Sequence, residues 1–535
     1  MARASLADAR TIVRAKGILQ RVESDLTAGG RDGLCLLNGV MDSNDPAIHA
    51  HVAEHRTLLR ALVMMLTRPT PREPDAAFVV AALALEKLVA GGAALAGACA
   101  DVLDALSDAE LKALVEATAI DTLTLPVTSL LTHCLLLHSD HAPLVGRLAG
   151  QAELPRAMAQ RLVSPGSSED VWNEATHCIL GLVASTRTCG PPPATWAKPI
   201  IQPLRSIVAK HVKGAAPSSL ILQTGILLRT LSTVFDLKPS LARGLPDYVA
   251  VLRGGGAASV QVATLVGNLS THPGVRTAAL REGAVPALVA LLCPRGGEPP
   301  EAAVSAFRAL STLSEYAESR KAILAEADAQ ARLLDTLRKV VVPGLTLNSP
   351  FGADINIVAL LIAVFKVHHH GLVPPEALVG TGALAKVVQL LQSCDDQIIV
   401  LLATDFVLTT LKWTAADAGT VVDACRAALH AFGPAGLRFR SGIGQLLEII
   451  ARCVCSWTPV PHQPRRRDGL QEIDAAAWAP PARGRALAEL LVADAVWVSI
   501  LCSAVMTRPE DAFVRDLRDV ASPEKACARA ASSTT

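Results

Sequence analysis

The chain has 535 residues, of which 51% are hydrophobic and only 3% aromatic, and its 50 Lys and Arg balance 49 Asp and Glu to a net charge of +1. That length exceeds a single ordinary core, which stops growing near about 250–300 residues, and the apolar share excludes intrinsic disorder. The even charge leaves no global field to draw the chain to nucleic acid or to an anionic membrane.

Residues 1–140 read as divergent N-terminal helical repeats. The opening Met1-Ala-Arg-Ala-Ser-Leu6 runs into a charged amphipathic segment without the apolar core of a signal peptide, so none is expected. His51 and His55 lie four apart with Glu54 between them, but the order H-V-A-E-H turns Glu54 off the histidine face and supplies no third ligand. The apolar stretch Ala76–Ala100 carries Glu86 and Lys87 at its centre. The other long apolar runs, Ile355–Phe365 and Ala495–Met506, fall short of the roughly 17–25 residues that a spanning helix needs. No membrane span is expected. His133, His138 and His141 are spread around a helix end and read as solvated or capping side chains.

From 141 to 457 a phrase recurs. Arg281-Glu-Gly-Ala-Val-Pro-Ala-Leu-Val-Ala-Leu-Leu292 is echoed by Gly382-Ala-Leu-Ala-Lys-Val-Val-Gln-Leu-Leu391, and more weakly from Gln151, Gly244 and Ala325. Each copy is followed by a polar or Gly/Pro loop and then by a strongly apolar helix, such as Ser259–Thr271 or Glu301–Ser314. One slot near the end of that helix recurs at Lys87, His133, Gly181, Thr230, Asn268, Thr312, Ala363, Thr410 and Arg452, at gaps of 38 to 51 residues. That period suits helical repeats of about 40–47 residues. A short helix is expected to end at Gly283 or Gly382, where the absence of a Cβ permits a left-handed turn. A second helix follows, with Pro286 tolerated in its first turn. The third helix is apolar on nearly every face, as suits one sandwiched between neighbouring repeats. Abundant Ala and Leu, with only 2 Tyr, 9 Phe and 6 Trp, fit closely approaching helices rather than sheets.

These residues resemble the armadillo repeat family. Glu282-Gly-Ala-Val-Pro-Ala-Leu-Val-Ala-Leu-Leu292 is similar to the family's second-helix phrase, and Val266-Gly-Asn-Leu-Ser270 to the end of its third helix. The match is clear over about residues 240–415, recognisable over 140–240 and faint at both ends. Where Asp328 occupies the Gly283 slot, a unit could equally be called HEAT-like. The resemblance implies an all-α, right-handed superhelical α-solenoid whose third helices line a concave groove. Armadillo proteins that hold extended peptides carry a ladder of Trp and Asn four residues apart. The paired slots here read Leu83/Lys87, Ser129/His133, His177/Gly181, Ile226/Thr230, Thr264/Asn268, Arg308/Thr312, Ala359/Ala363, Phe406/Thr410 and Glu448/Arg452. Only Asn268 fits, which argues against nuclear-import cargo recognition. A groove bearing Thr230, Thr264, Asn268, Arg308, Thr312 and Thr410 remains the expected contact surface for a polar partner.

Catalytic signatures are absent: the chain has neither G-x-S-x-G nor G-x-x-x-x-G-K-[ST]. Gly254-Gly-Gly256 reads as an inter-helix loop, and His368–His370 as the start of a loop before Gly371. Asn268-Leu-Ser270 matches a glycosylation sequon but lies in an expected packed helix. Cys453-x-Cys455 lacks the spacer and second pair of a zinc knuckle. Twelve scattered cysteines, most in apolar helical runs, fit a reduced cytoplasmic chain. Residues 458–485 form a Pro/Arg-rich loop or linker, whose Arg465–Arg467 triplet is the one feature pointing to the nucleus as well. A helical cap over 486–522 and a frayed tail over 523–535 close the chain.

The composite expectation is a non-enzymatic scaffold or adaptor that binds a partner protein along its groove. It includes no catalytic residues, cofactor, metal, nucleic acid or small-molecule substrate. The alternative is an exchange factor or co-chaperone that remodels a client through its loops.

Overall fold

The computed structural model describes residues 54–67, 76–90, 93–137, 142–151, 153–185, 193–293, 299–346, 357–374, 377–378, 380–393 and 397–410, with isolated positions before 54. The loop at 458–485, the cap at 486–522 and the tail at 523–535 lie outside the described residues, as do His51, His138, His141, Cys453 and Cys455. The described residues are helical with no strand among them. The chain divides into two compact units, Met1–Ala287 and Leu288–Thr535.

In the first unit the long apolar helices form a row. Ala76–Ala90 packs on Asp121–Leu137, which packs on Glu169–Ser185, then Ser218–Leu231, then Ala257–Leu269. A second row runs beside it through Asp108–Ala117, Glu153–Val163, Lys198–Val212 and Leu245–Gly254. This nearest-neighbour stacking is solenoid packing, in which each helix pair buries the face of the next. The second unit repeats it: Pro300–Leu313 packs on Ile357–His369, which packs on Gln397–Thr410. The expected all-α solenoid packing is what the described residues of each unit show.

The apolar character of the row follows from being flanked on two sides. Ala258, Val262, Ala263, Leu265, Val266 and Leu269 are all buried in Ala257–Leu269, as are Ala302, Val304, Phe307, Leu310 and Leu313 in Pro300–Leu313. Small residues set the spacing. A Cβ on Gly225 would stand 2.9 Å from the Cβ of Gln261 on the next helix, so that approach needs glycine. No described helix is long and apolar enough to cross a membrane.

Arginines staple one repeat to another in the first unit. Arg147 donates to the Asp104 carbonyl at 2.7 Å, to Asp108 Oδ1 at 3.0 Å and to the Leu106 carbonyl. Arg161 does the same at the end of the next helix, through the Thr118 and Ala119 carbonyls and Asp121. Each guanidinium thus satisfies carbonyls that a helix end leaves without a partner and sits at its negative pole. Such contacts join residues about forty apart, so no local pattern in the sequence announces them.

The turn into the second helix keeps its backbone even where its residue changes. Gly283 and Gly382 have φ of 79° and 78°, and Asp328 in the same slot has φ 60°. Asp is among the few side chains that tolerate this region. Gly283→Ala is expected to cost about 1–2 kcal/mol, whereas Asp328→Gly should be neutral or stabilising. Thermal denaturation of both variants checks this, and a neutral Gly283→Ala would contradict the assignment.

The histidine run is the clearest difference from expectation. Residues 368 and 369 belong to the helix Ile357–His369 rather than to a loop. His368 is buried and its ring meets Phe406 edge-on at 6.2 Å, while His369 stacks on Phe365 at 5.4 Å. These contacts hold the last turn helical up to Gly371, whose φ is 69°. His133 likewise lies inside Asp121–Leu137, its Nδ1 2.9 Å from the Ser129 carbonyl. Gly254-Gly-Gly256 joins two helices as expected, with positive φ at Gly255 and Gly256.

Candidate functional site

The candidate residues fall on the long apolar helices of each unit. Thr230 lies on Ser218–Leu231, and Thr264 and Asn268 lie on Ala257–Leu269, in the first unit; Arg308 and Thr312 lie on Pro300–Leu313 and Thr410 ends Gln397–Thr410, in the second. Thr230, Thr264, Asn268, Arg308 and Thr312 are all half-buried, each at the edge of an otherwise buried helix. The register that makes these slots equivalent has a structural marker. Thr230, Asn268 and Thr312 each stand two residues before a fully buried serine, Ser232, Ser270 and Ser314, that caps the C-terminus of its helix. The three slots are equivalent.

Their polar atoms are turned largely inward. The hydroxyls of Thr230, Thr264 and Thr312 donate to the carbonyls of Ile226, Val260 and Arg308 in their own helices, at 2.9, 3.3 and 3.1 Å. Asn268 donates from its amide nitrogen to Ser232 Oγ at 3.0 Å, bridging neighbouring helices of the row. Each threonine hydroxyl therefore spends its one donor on its own helix and keeps only acceptor capacity. Serine 270 of the sequon is buried, with its hydroxyl on the Val266 carbonyl at 2.7 Å.

The ladder does not keep one exposure along the chain. Ser129, Ala363 and Phe406 are buried, whereas Leu83 and His177 are exposed. Phe406 belongs to the core around His368, so it offers no surface for a ligand.

Several polar residues beside the row were not anticipated. Gln223 Nε2 donates to Asn173 Oδ1 at 2.6 Å across two helices. Glu86 has its carboxyl pushed up, first by burial and then by Glu174, with His133 and Lys87 opposing. A basic residue also follows each capping serine by six: Lys238 after Ser232, Arg276 after Ser270, Arg320 after Ser314. The signal was present in T-L-S-T, N-L-S-T and T-L-S-E with Lys or Arg at a fixed offset, but serine and arginine blend into ordinary surface composition. Lys238 donates to Thr271 Oγ1, Arg276 to the Ser270 carbonyl at 3.4 Å, and Arg320 Nη1 lies 3.3 Å from His370 Nδ1. Among the described residues no group of three His, Cys, Asp or Glu side chains is placed to hold a metal.

No family model matches the chain, and no curated protein matches it in sequence. Solved structures do. The chain is similar to a structure concerned with a conserved phosphorylation switch that controls the interaction between cadherin and beta-catenin, at 14% identity and a TM-score of 0.38, over 82% of this chain and 97% of that one. It is similar to the SYS-1/POP-1 complex at 12% identity and a TM-score of 0.48, over 83% and 87% of the two chains. An engineered protein matches at 16% identity and a TM-score of 0.30, over 59% and 98%. Likeness at these levels concerns fold alone and carries nothing about a partner.

Proposed function

We propose that the chain is a non-enzymatic interaction scaffold that binds a partner protein along the exposed edges of its stacked helices. Thr230, Thr264 and Asn268 serve this role in the first unit, and Arg308 and Thr312 in the second; Thr410 ends its helix, and its side chain lies outside the described residues. The observation that carries the reading is the repeated register: within each unit, helices buried on both flanks leave a half-exposed polar residue at the equivalent position, Thr230 and Asn268 in the first and Thr312 in the second. A pre-ordered face of this kind loses little entropy on binding an extended segment. The free, buried thiols of Cys99, Cys134 and Cys178 support a reducing compartment, hence a cytoplasmic chain.

The test uses purified full-length protein and a partner recovered with the wild type. Asn268→Ala combined with Arg308→Ala is expected to weaken binding about tenfold or more, the scale of losing one or two interface contacts. Because Asn268 also bridges to Ser232, Thr264→Arg supplies an independent variant that adds bulk at a half-exposed edge. Binding that survives both substitutions but fails on deletion of 458–485 would move recognition to the loop.

A further inference from the structure

In the second unit, two contacts of different chemistry tie the end of Ile357–His369 to the segment 315–320. Lys366 pairs with Glu315, in the turn after Pro300–Leu313. Arg320, on the short helix Ala317–Ala325, places its Nη1 3.3 Å from Nδ1 of His370. His370 continues the last turn of the long helix, its backbone N–H donating to the Lys366 carbonyl at 2.9 Å. Ala317–Ala325 buries only Ser319 and Ile323 of its 9 residues. A single tie to a residue 50 positions along the chain therefore weighs heavily on it.

The Arg320 contact dictates the protonation state of the ring. A guanidinium carries a permanent charge and five donors, with no acceptor. Nδ1 of His370 can meet it only as a lone pair, which fixes a neutral imidazole with its proton on Nε2. Protonation would put an N–H on both nitrogens, so donor would face donor and charge would face like charge. The described charged groups around the ring act mostly in the same sense. His369, whose ring lies 5.0 Å away, and Lys366 share its helix end, and Arg320 faces it from Ala317–Ala325. Glu315 alone favours the imidazolium, and that carboxylate is already paired with Lys366. Burial first, and then His369 and Arg320, hold the His370 pKa below its ordinary value.

We infer that the Arg320–His370 hydrogen bond is a proton-operated latch, closed while the imidazole is neutral and released on protonation, that sets how firmly Ala317–Ala325 is held to the end of Ile357–His369. Once released, the imidazole takes up its proton near its ordinary value, about pH 6.5. The tie is therefore complete above that pH and is lost as pH falls through the lower value of the closed state. The latch goes beyond the scaffold reading and does not rest on it.

Hydrogen exchange of the full chain, followed from about pH 7.5 to about pH 4.5 and corrected for the intrinsic rate, is the test. Wild type should lose protection over 317–325 by about two- to tenfold, the scale of one hydrogen bond. His370→Asn offers Arg320 a carbonyl acceptor that does not titrate, and should keep protection throughout. Arg320→Met removes the donor, so protection should be low at both ends with no step between them. Lys366→Met removes a positive neighbour and frees Glu315, so its step should move to higher pH. A flat wild-type profile overturns the inference, as does a step of wild-type size in His370→Asn. Where His370→Asn is destabilised, the other two variants decide. A wild-type step persisting in Arg320→Met, or an unmoved midpoint in Lys366→Met, would make the contact a pH-independent part of the packing.

Discussion

Phe307→Ala is expected to destabilise the second unit by about 3–5 kcal/mol, the range for removing a large aromatic from a closed core. The side chain is fully buried in Pro300–Leu313, which packs on Ile357–His369 and on Ala329–Thr336. The side chain is closed off from solvent, so removing it leaves a cavity that the packed helices fill only in part. Stability in stacked repeats passes through neighbour interfaces, so the loss should reach the adjoining helices as well as its own. Urea denaturation gives the magnitude, and hydrogen exchange shows where protection is lost. Leu324→Ala, at a side chain 43% exposed, is the control and should stay within about 0.5 kcal/mol. A small effect at Phe307 would mean that this helix is not the packed centre described.

Alkaline pH should weaken the first unit. Burial pushes the Cys99 and Cys178 thiols up to about 12, and Cys134 well above its ordinary value. Because the folded-state values are raised, the unfolded chain loses these protons first, near pH 9. The stabilisation is therefore complete below pH 9 and is lost as pH climbs toward 12. For a thiol raised to about 12, that amounts to roughly 2 kcal/mol by pH 10.5. Tyr248, raised by burial too, adds in the same direction at higher pH. The Cys99→Ala, Cys134→Ala, Cys178→Ala triple variant should flatten the fall in thermal midpoint between pH 8.5 and 10.5, relative to its own midpoint at pH 8. An equal slope in wild type and variant would show that these thiols are not protected. A thiol reagent supplies a second readout at neutral pH: exposed Cys293 should react, and the three buried thiols should not.

Much of the architecture was legible because it repeats. The apolar runs around Val262 and Val304 mark the stacked helices, and Gly283 and Gly382 mark the left-handed turns. Even the departure at Asp328 kept the same backbone, since the slot demands a conformation and Asp can adopt it. The site was legible only as a register. Thr230, Asn268 and Thr312 were placed equivalently by their phrases, but the direction of their hydrogen bonds depends on helix geometry and on Ser232 from a different repeat. Arg147, Arg161 and Lys238 act on partners 33 to 43 residues away, which no short window reveals. His368 misled for the same reason: three adjacent histidines before a glycine suggest a loop, whereas His368 and His369 are helical and the Phe406 contact of His368 lies far along the chain.

The central claim is that the half-exposed helix edges, and not a loop or a catalytic centre, carry the function. Calorimetric titration of the purified full-length chain with its purified partner, wild type against Thr264→Arg and Thr312→Arg, tests it most directly. Binding weakened about a hundredfold or more by either substitution, with thermal midpoints unchanged, is the expected result on the scale of an interface hot spot. Affinity equal to wild type in both variants would contradict the account.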